Sequence, residues 1–145
     1  MADISTKQET KRKALAQAKI FMKKDTLSNL IKRKIPKGDV LACANVAGIM
    51  ACKKTSELLP LCHPLEITDV KLEFNIDEKK ACILVKAIVS VLGRTGVEME
   101  ALTAVSIASL TIYDMCKPVD KDIIISDIML LEKSGGKSGA YKRQG

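Results

Sequence analysis

Tryptophan is absent, and Phe21, Phe74, Tyr113 and Tyr141 are the only large aromatic side chains in the 145 residues. A supply so dispersed makes no stacking platform for nucleic-acid bases. No apolar run approaches the roughly 20 residues that span a bilayer, and the opening MADISTKQETKRK lacks the apolar centre of a secretion signal. His63 is the sole histidine, and none of Cys43, Cys52, Cys62, Cys82 and Cys116 forms a C-x-x-C pair. A structural zinc centre therefore lacks its usual ligands. Scattered and odd in number, the cysteines read as free, mostly buried thiols of a reducing compartment. The expectation is a cytoplasmic chain with no membrane partner, no nucleic-acid partner and no metal ligands of its own.

What is present is apolar bulk and positive charge. Hydrophobic residues make up 47% of the chain, enough for one domain, 1–145, to close a core. The formal net charge is +7, and residues 1–38 concentrate eleven Lys or Arg against Asp3, Glu9 and Asp25. Such an arm suits a polyanion, and with bases disfavoured, a small polyphosphate is the attractive partner. A plain solvated surface accounts for most of the lysines.

Periodicity supplies the elements. Lys11 to Met22 is either a helix by propensity or an edge strand. Asp25-Thr26 offers an N-cap for a short helix, Leu27 to Arg33, stopped by Pro36 and Gly38. Asp39 to Leu59 reads as a buried helix ended by Pro60. Val70, Leu72 and Phe74 alternate with charged residues, Asn75 to Lys80 is a polar turn, and Ile83, Val85, Ala87, Val89 and Val91 mark the buried side of a hairpin partner. Val97 to about Lys117 has neither Gly nor Pro and is apolar or small nearly all round. That predicts a helix packed against a sheet on one side and another subunit on the other. Ile123 to Leu131 reads as a last strand, and Ser134 to Gly145 as a flexible Gly-rich tail. The order is α+β, an antiparallel sheet with helices packed on one face.

Four clusters have residue types suited to chemistry. Leu61-Cys62-His63-Pro64 holds the lone imidazole on a connector stiffened by Pro60 and Pro64, where it either fills a structural role or donates to a phosphate. Glu98 and Glu100 open the long helix. There they either favour the helix dipole or accept from the N–H groups of a guanine-like ring. Asp114 and Lys117, three apart, share a helix face as a surface ion pair or as an oriented acid–base couple. The run from Glu132 to Gly139, EKSGGKSG, resembles a P-loop but fails as one: Leu131 stands where the first Gly is required, and no helix follows. It remains a basic loop able to fold over an anion, or a polar tail.

Taken together, LLPLCHPL, GRTGVEMEALTAVSIASLTIYDMCK and LLEKSGGKSG, with KGDVLACANVAGIMACKKT in support, resemble the cyclic pyranopterin monophosphate synthase family (molybdenum cofactor biosynthesis protein C) from about Asp3 to Ala140. The resemblance implies a ferredoxin-like subunit in a homohexamer built as three dimers. It implies conversion of a cyclised GTP derivative, 3′,8-cyclo-dihydro-GTP, to cyclic pyranopterin monophosphate with loss of pyrophosphate. It assigns Asp114, Lys117 and Lys37 to catalysis, and Leu61, Cys62, His63, Glu98, Met99 and Glu100 to the substrate pocket. Arg12, Lys53 and Lys133 become triphosphate contacts. No cofactor is required, and Mg2+ accompanies the triphosphate if any metal does. A continuous helix separates Glu100 from Asp114 by about 21 Å, so a site using both is expected to be shared between subunits. The competing readings are a basic nucleic-acid or nucleotide-binding module without catalysis, and a purely structural oligomer.

Overall fold

Alternation of small or apolar residues with charged ones makes Thr10–Phe21 a strand, β1, with Ala14, Ala16, Ala18 and Ile20 pointing inward at 1% exposure or less. The computed structural model describes residues 1–145, and β1 lies in the middle of a five-stranded sheet. Of the two readings of this segment the strand is correct and the helix is not, but the strand is central rather than at an edge. The remaining elements are α1 Lys24–Ile31, α2 Val40–Lys53, α3 Thr55–Leu58, β2 Ile67–Asp77, β3 Cys82–Gly93, α4 Glu98–Cys116, β4 Ile124–Ser134 and β5 Tyr141–Lys142. Strand order is β2-β3-β1-β4-β5, every pairing antiparallel. Without the short β5 this is the β-α-β-β-α-β arrangement of the ferredoxin-like fold.

The expected hairpin is present. Ile83, Val85, Ala87, Val89 and Val91 are all buried, and β2 pairs with β3 through Ile76↔Ile83. The turn is shorter than expected, because Asn75 to Asp77 continue the strand and Ala81 takes a positive φ of 50°. The last strand also runs longer, to Ser134, and the tail returns to it as β5 through Lys133↔Tyr141.

Both long helices cover one face of the sheet: α4 lies over β1, β3 and β4, and α2 lies over β2 and beside α4. Close approach is set by small side chains. Ala14, Ala16 and Ala18 of β1 meet a helix whose own buried side carries Ala101, Ala104, Ala108 and Ile112. A Cβ on Gly48 of α2 would stand 3.1 Å from the Ala104 carbonyl of α4 and collide with Leu72, so glycine permits that crossing. Each fully buried Ile or Val here contributes about 1.5–3 kcal/mol.

Asp39 caps α2 as expected, accepting from the Ala42 N–H at 3.1 Å. The Asp25-Thr26 cap does not form: α1 begins at Lys24 with no side-chain cap. Instead the buried Asp120 carboxylate accepts from the Lys23 N–H and Thr26 hydroxyl, both at 2.9 Å. The span from Asp39 to Leu59 is two helices, divided at Lys54, where the Thr55 hydroxyl bonds back to the Ala51 and Cys52 carbonyls. In α4 the polar residues are occupied internally, Ser106, Ser109 and Thr111 each donating to the carbonyl four residues earlier. The outer sides of both helices stay uncovered, with Val46, Met50 and Leu110 more than half exposed. No helix is long and apolar enough to cross a membrane.

Candidate active site

Helix α4 carries a cluster of functional side chains at each end. At its N-terminal end, the connector after α3, the turn before α4 and residues 2–7 enclose a cleft of about 610 Å³, lined by Leu61, Cys62, His63, Glu98, Met99 and Glu100 among others. That volume is typical of small-molecule sites. His63 Nε2 lies 2.7 Å from the Ala2 carbonyl oxygen. A carbonyl only accepts, so Nε2 carries the proton and donates.

The two glutamates differ in surroundings. Glu98 accepts from the Lys133 ammonium at 3.0 Å, both side chains being about one-quarter exposed. Glu100 is only 3% exposed; its Oε1 accepts from the Cys62 thiol at 3.8 Å, and its Oε2 is buried without a partner. Burial first, then the charge of Glu98, pushes the Glu100 carboxyl up to about 7. Near neutral pH it is therefore a carboxylic acid in much of the population, able to donate to a ligand oxygen. Burial, and then the neighbouring Glu100, raises the Cys62 thiol as well, which keeps it protonated and makes it a wall of the cleft rather than a nucleophile.

A second hollow of about 700 Å³ adjoins the first, lined by Thr6, Lys7, Gln8, Thr10, Arg12, Gly136, Lys137 and Ser138, with no hydrophobic residue. Lys7 lines both hollows. Arg12 is 9% exposed and its Nε donates to the Gly93 carbonyl at 3.3 Å, which fixes the guanidinium. The loop of the failed P-loop pattern packs directly on it. Gly135 and Gly136 have φ of +96° and +80°, and a Cβ at either would strike the Lys11–Arg12 backbone or the guanidinium. Only glycine satisfies both demands. The Thr10 hydroxyl is buried without a partner. Three cations, three hydroxyls and no carboxylate line this trough, the composition of a polyanion site.

At the other end of α4, Asp114 holds two ammonium groups. Lys117 lies 3.0 Å from Oδ1, and Lys37 lies 3.2 Å from Oδ2 and 2.9 Å from the Asp114 carbonyl. Hydrogen bonds from Lys117 and then Lys37, with their charges, hold the Asp114 carboxyl below the usual carboxylate range, so it stays ionised. Lys37 reaches it from a turn where Gly38 has φ +115°.

One end therefore gathers Arg12, Leu61, Cys62, His63, Glu98, Met99, Glu100 and Lys133, and the other gathers Lys37, Asp114 and Lys117. Lys53, exposed at the end of α2, lies toward the Glu100 end, where its charge acts on Cys52, but lines neither hollow. With α4 continuous, fourteen residues at 1.5 Å separate Glu100 from Asp114 by about 21 Å. Sequence reasoning missed Lys7 and Thr10 as parts of the trough. The basic arm was visible, but which of its lysines faces Arg12 depends on how residues 2–8 fold back. No group of three or more His, Cys, Asp or Glu gathers in a metal-holding arrangement.

A family model described as the MoaC family matches residues 1–136. The chain is 57% identical over 144 residues to a protein of Thermoanaerobacter pseudethanolicus named cyclic pyranopterin monophosphate synthase, covering 99% of this chain and 91% of that one. Proteins of the same name from Heliobacterium modesticaldum and Listeria innocua are 54% and 56% identical over 144 residues, covering 99% of this chain and 91% and 89% of theirs.

Proposed function

The chain belongs to the MoaC family, and from that premise we infer that it catalyses formation of cyclic pyranopterin monophosphate from a cyclised GTP derivative, with release of pyrophosphate, in molybdenum cofactor biosynthesis. The observation that carries this reading is the adjoining pair of hollows. A purine-sized cleft with carboxyl groups opens beside a trough of cations free of carboxylates.

The ring end of the substrate lies against Met99, Glu98 and Glu100. Neutral Glu100 donates to a ring oxygen through the carboxyl atom that otherwise lacks a partner, and Glu98, paired with Lys133, accepts from ring N–H groups. Arg12, Lys133, Lys7 and Lys137 neutralise the triphosphate, with Lys53 at the margin, and His63 donates through Nε2. Opening the guanine-derived ring with water and rebuilding it as a pterin requires protons to move at several nitrogens. Lys37 and Lys117, oriented by Asp114, serve as acid and base. Closing the cyclic phosphate joins a sugar hydroxyl oxygen to the innermost phosphorus and breaks the bond to the next phosphate. Pyrophosphate leaves into the cationic trough. No redox cofactor is needed, and Mg2+ brought by the triphosphate would add further neutralisation.

Within one chain the lysines stand too far from Glu100 to reach the same ring, so the complete site is assembled between chains. Met99, Thr103, Ser106, Leu110 and Lys117 recur at helical spacing along the outer side of α4. A second copy packed antiparallel along that stripe brings its Asp114–Lys117 end to the first copy's Met99 end. A homohexamer of three such dimers in the cytoplasm completes the proposal. The test is to supply the cyclised GTP derivative and follow pyrophosphate release and pterin fluorescence. Lys117→Ala is expected to abolish both signals with assembly intact. A fully active Lys117→Ala protein, or a parent that releases no pyrophosphate, refutes the reading.

A further inference from the structure

Residues 2–7 are the one wall of the cleft that precedes the first strand; its other lining residues lie in α4 or in the connectors between α3 and β2 and between β3 and α4. They form a preformed turn, the Ser5 N–H donating to the Asp3 carboxylate at 2.9 Å and the Lys7 N–H to the Ile4 carbonyl at 3.1 Å. Their single hydrogen bond to the rest of the chain is the one from His63 to the Ala2 carbonyl, and Ile4 is the one side chain of the segment that is partly buried. A segment tied down so lightly belongs to the parts of a protein that open locally far more often than the fold itself.

Its position makes opening consequential. The tie occupies the very Nε2 proton that His63 would give to a phosphate oxygen. Lys7, at the C-terminal end of the turn, stands where the two hollows meet and has no carboxylate partner. We propose that residues 2–7 are a strap that opens to admit the purine triphosphate and closes over it, with Lys7 as the phosphate-contacting residue that draws the strap shut. His63 exchanges the Ala2 carbonyl for a ligand oxygen, and the charge of Lys7 on the polyphosphate replaces the lost tie. The occupant is a purine nucleotide whose phosphate chain reaches the trough, so a nucleoside alone fills the cleft without closing the strap. This rests on the functional reading above.

Hydrogen exchange of the peptide containing residues 4–8, measured by mass spectrometry on the whole assembled protein, tests it with GTP as the probe. Saturating GTP is expected to slow the Ser5 and Lys7 amides about tenfold, the effect of adding a charge-assisted contact, whereas guanosine leaves them unchanged. Lys7→Gln is expected to remove the slowing and to weaken GTP binding about tenfold, with unchanged melting of the assembly. Ile4→Gly is expected to speed GTP release. If GTP binds and the strap amides exchange at the same rate or faster, the strap is refuted and the nucleotide site stands. If GTP does not bind at all, both fall together.

Discussion

Glu100→Gln isolates the energetic cost of burying a charge at the head of α4. The carboxyl is raised from 4.5 to about 7 in the folded chain by burial and by Glu98. A folded-state value above the unfolded one means that the stability contribution is complete below about pH 4.5 and is lost as pH rises through 7. The shift corresponds to roughly 3 kcal/mol once the group is fully ionised. At pH 5 the cost is under about 1 kcal/mol, and at pH 8 about 3 kcal/mol, so the stability gap between variant and parent should widen by about 2.5 kcal/mol across that interval. Taking the difference between the two pH values removes any constant offset from the glutamine amide, whose nitrogen inherits the partnerless Oε2 position. Urea unfolding of both proteins at pH 5 and pH 8, at one protein concentration, gives the four numbers. If the gap widens by less than about 0.5 kcal/mol, Glu100 titrates as an ordinary carboxylate, and its role as a neutral donor is wrong.

Two further outcomes follow from the same geometry. Asp114→Ala and Glu100→Ala are each expected to be inactive, but co-assembled in equal amounts they should recover about a quarter of parental turnover, since half the dimers then contain one intact shared site; no recovery in verified mixed oligomers refutes the shared site. Gly136→Ala places a Cβ against the Arg12 guanidinium at a positive φ and is expected to cost about 1 kcal/mol or more in thermal unfolding, with a raised KM for the triphosphate substrate; unchanged KM would show that the loop does not position Arg12.

Several elements were legible because one pattern dominated each. The hairpin strand β3 has five buried Ile, Val or Ala side chains at strict alternation, and α4 has nineteen residues without Gly or Pro. Strand β1 was obscured because its inward positions are mostly alanine, which carries helix propensity and little hydrophobic contrast against the intervening lysines. The break at Lys54 depends on a hydroxyl folding back on its own helix, a choice that composition does not record. At the site, family resemblance named residues that periodicity alone left open. It could not place Lys133 against Glu98, because that pair closes over 35 positions of chain. The orphan atoms Thr10 Oγ1 and Glu100 Oε2 are products of tertiary enclosure and leave no trace in the order of residues.

Because α4 is unbroken from Glu98 to Cys116, it is a spacer bar of set length between the Glu98–Glu100 cluster and the Asp114 cluster. A point change along the bar disturbs packing locally. An inserted residue instead advances everything beyond it by about 1.5 Å and swings it by about 100°, turning the Asp114 pair away from where a neighbouring chain would present its own cleft. The bar should therefore tolerate exchange of its side chains far better than any change in their number.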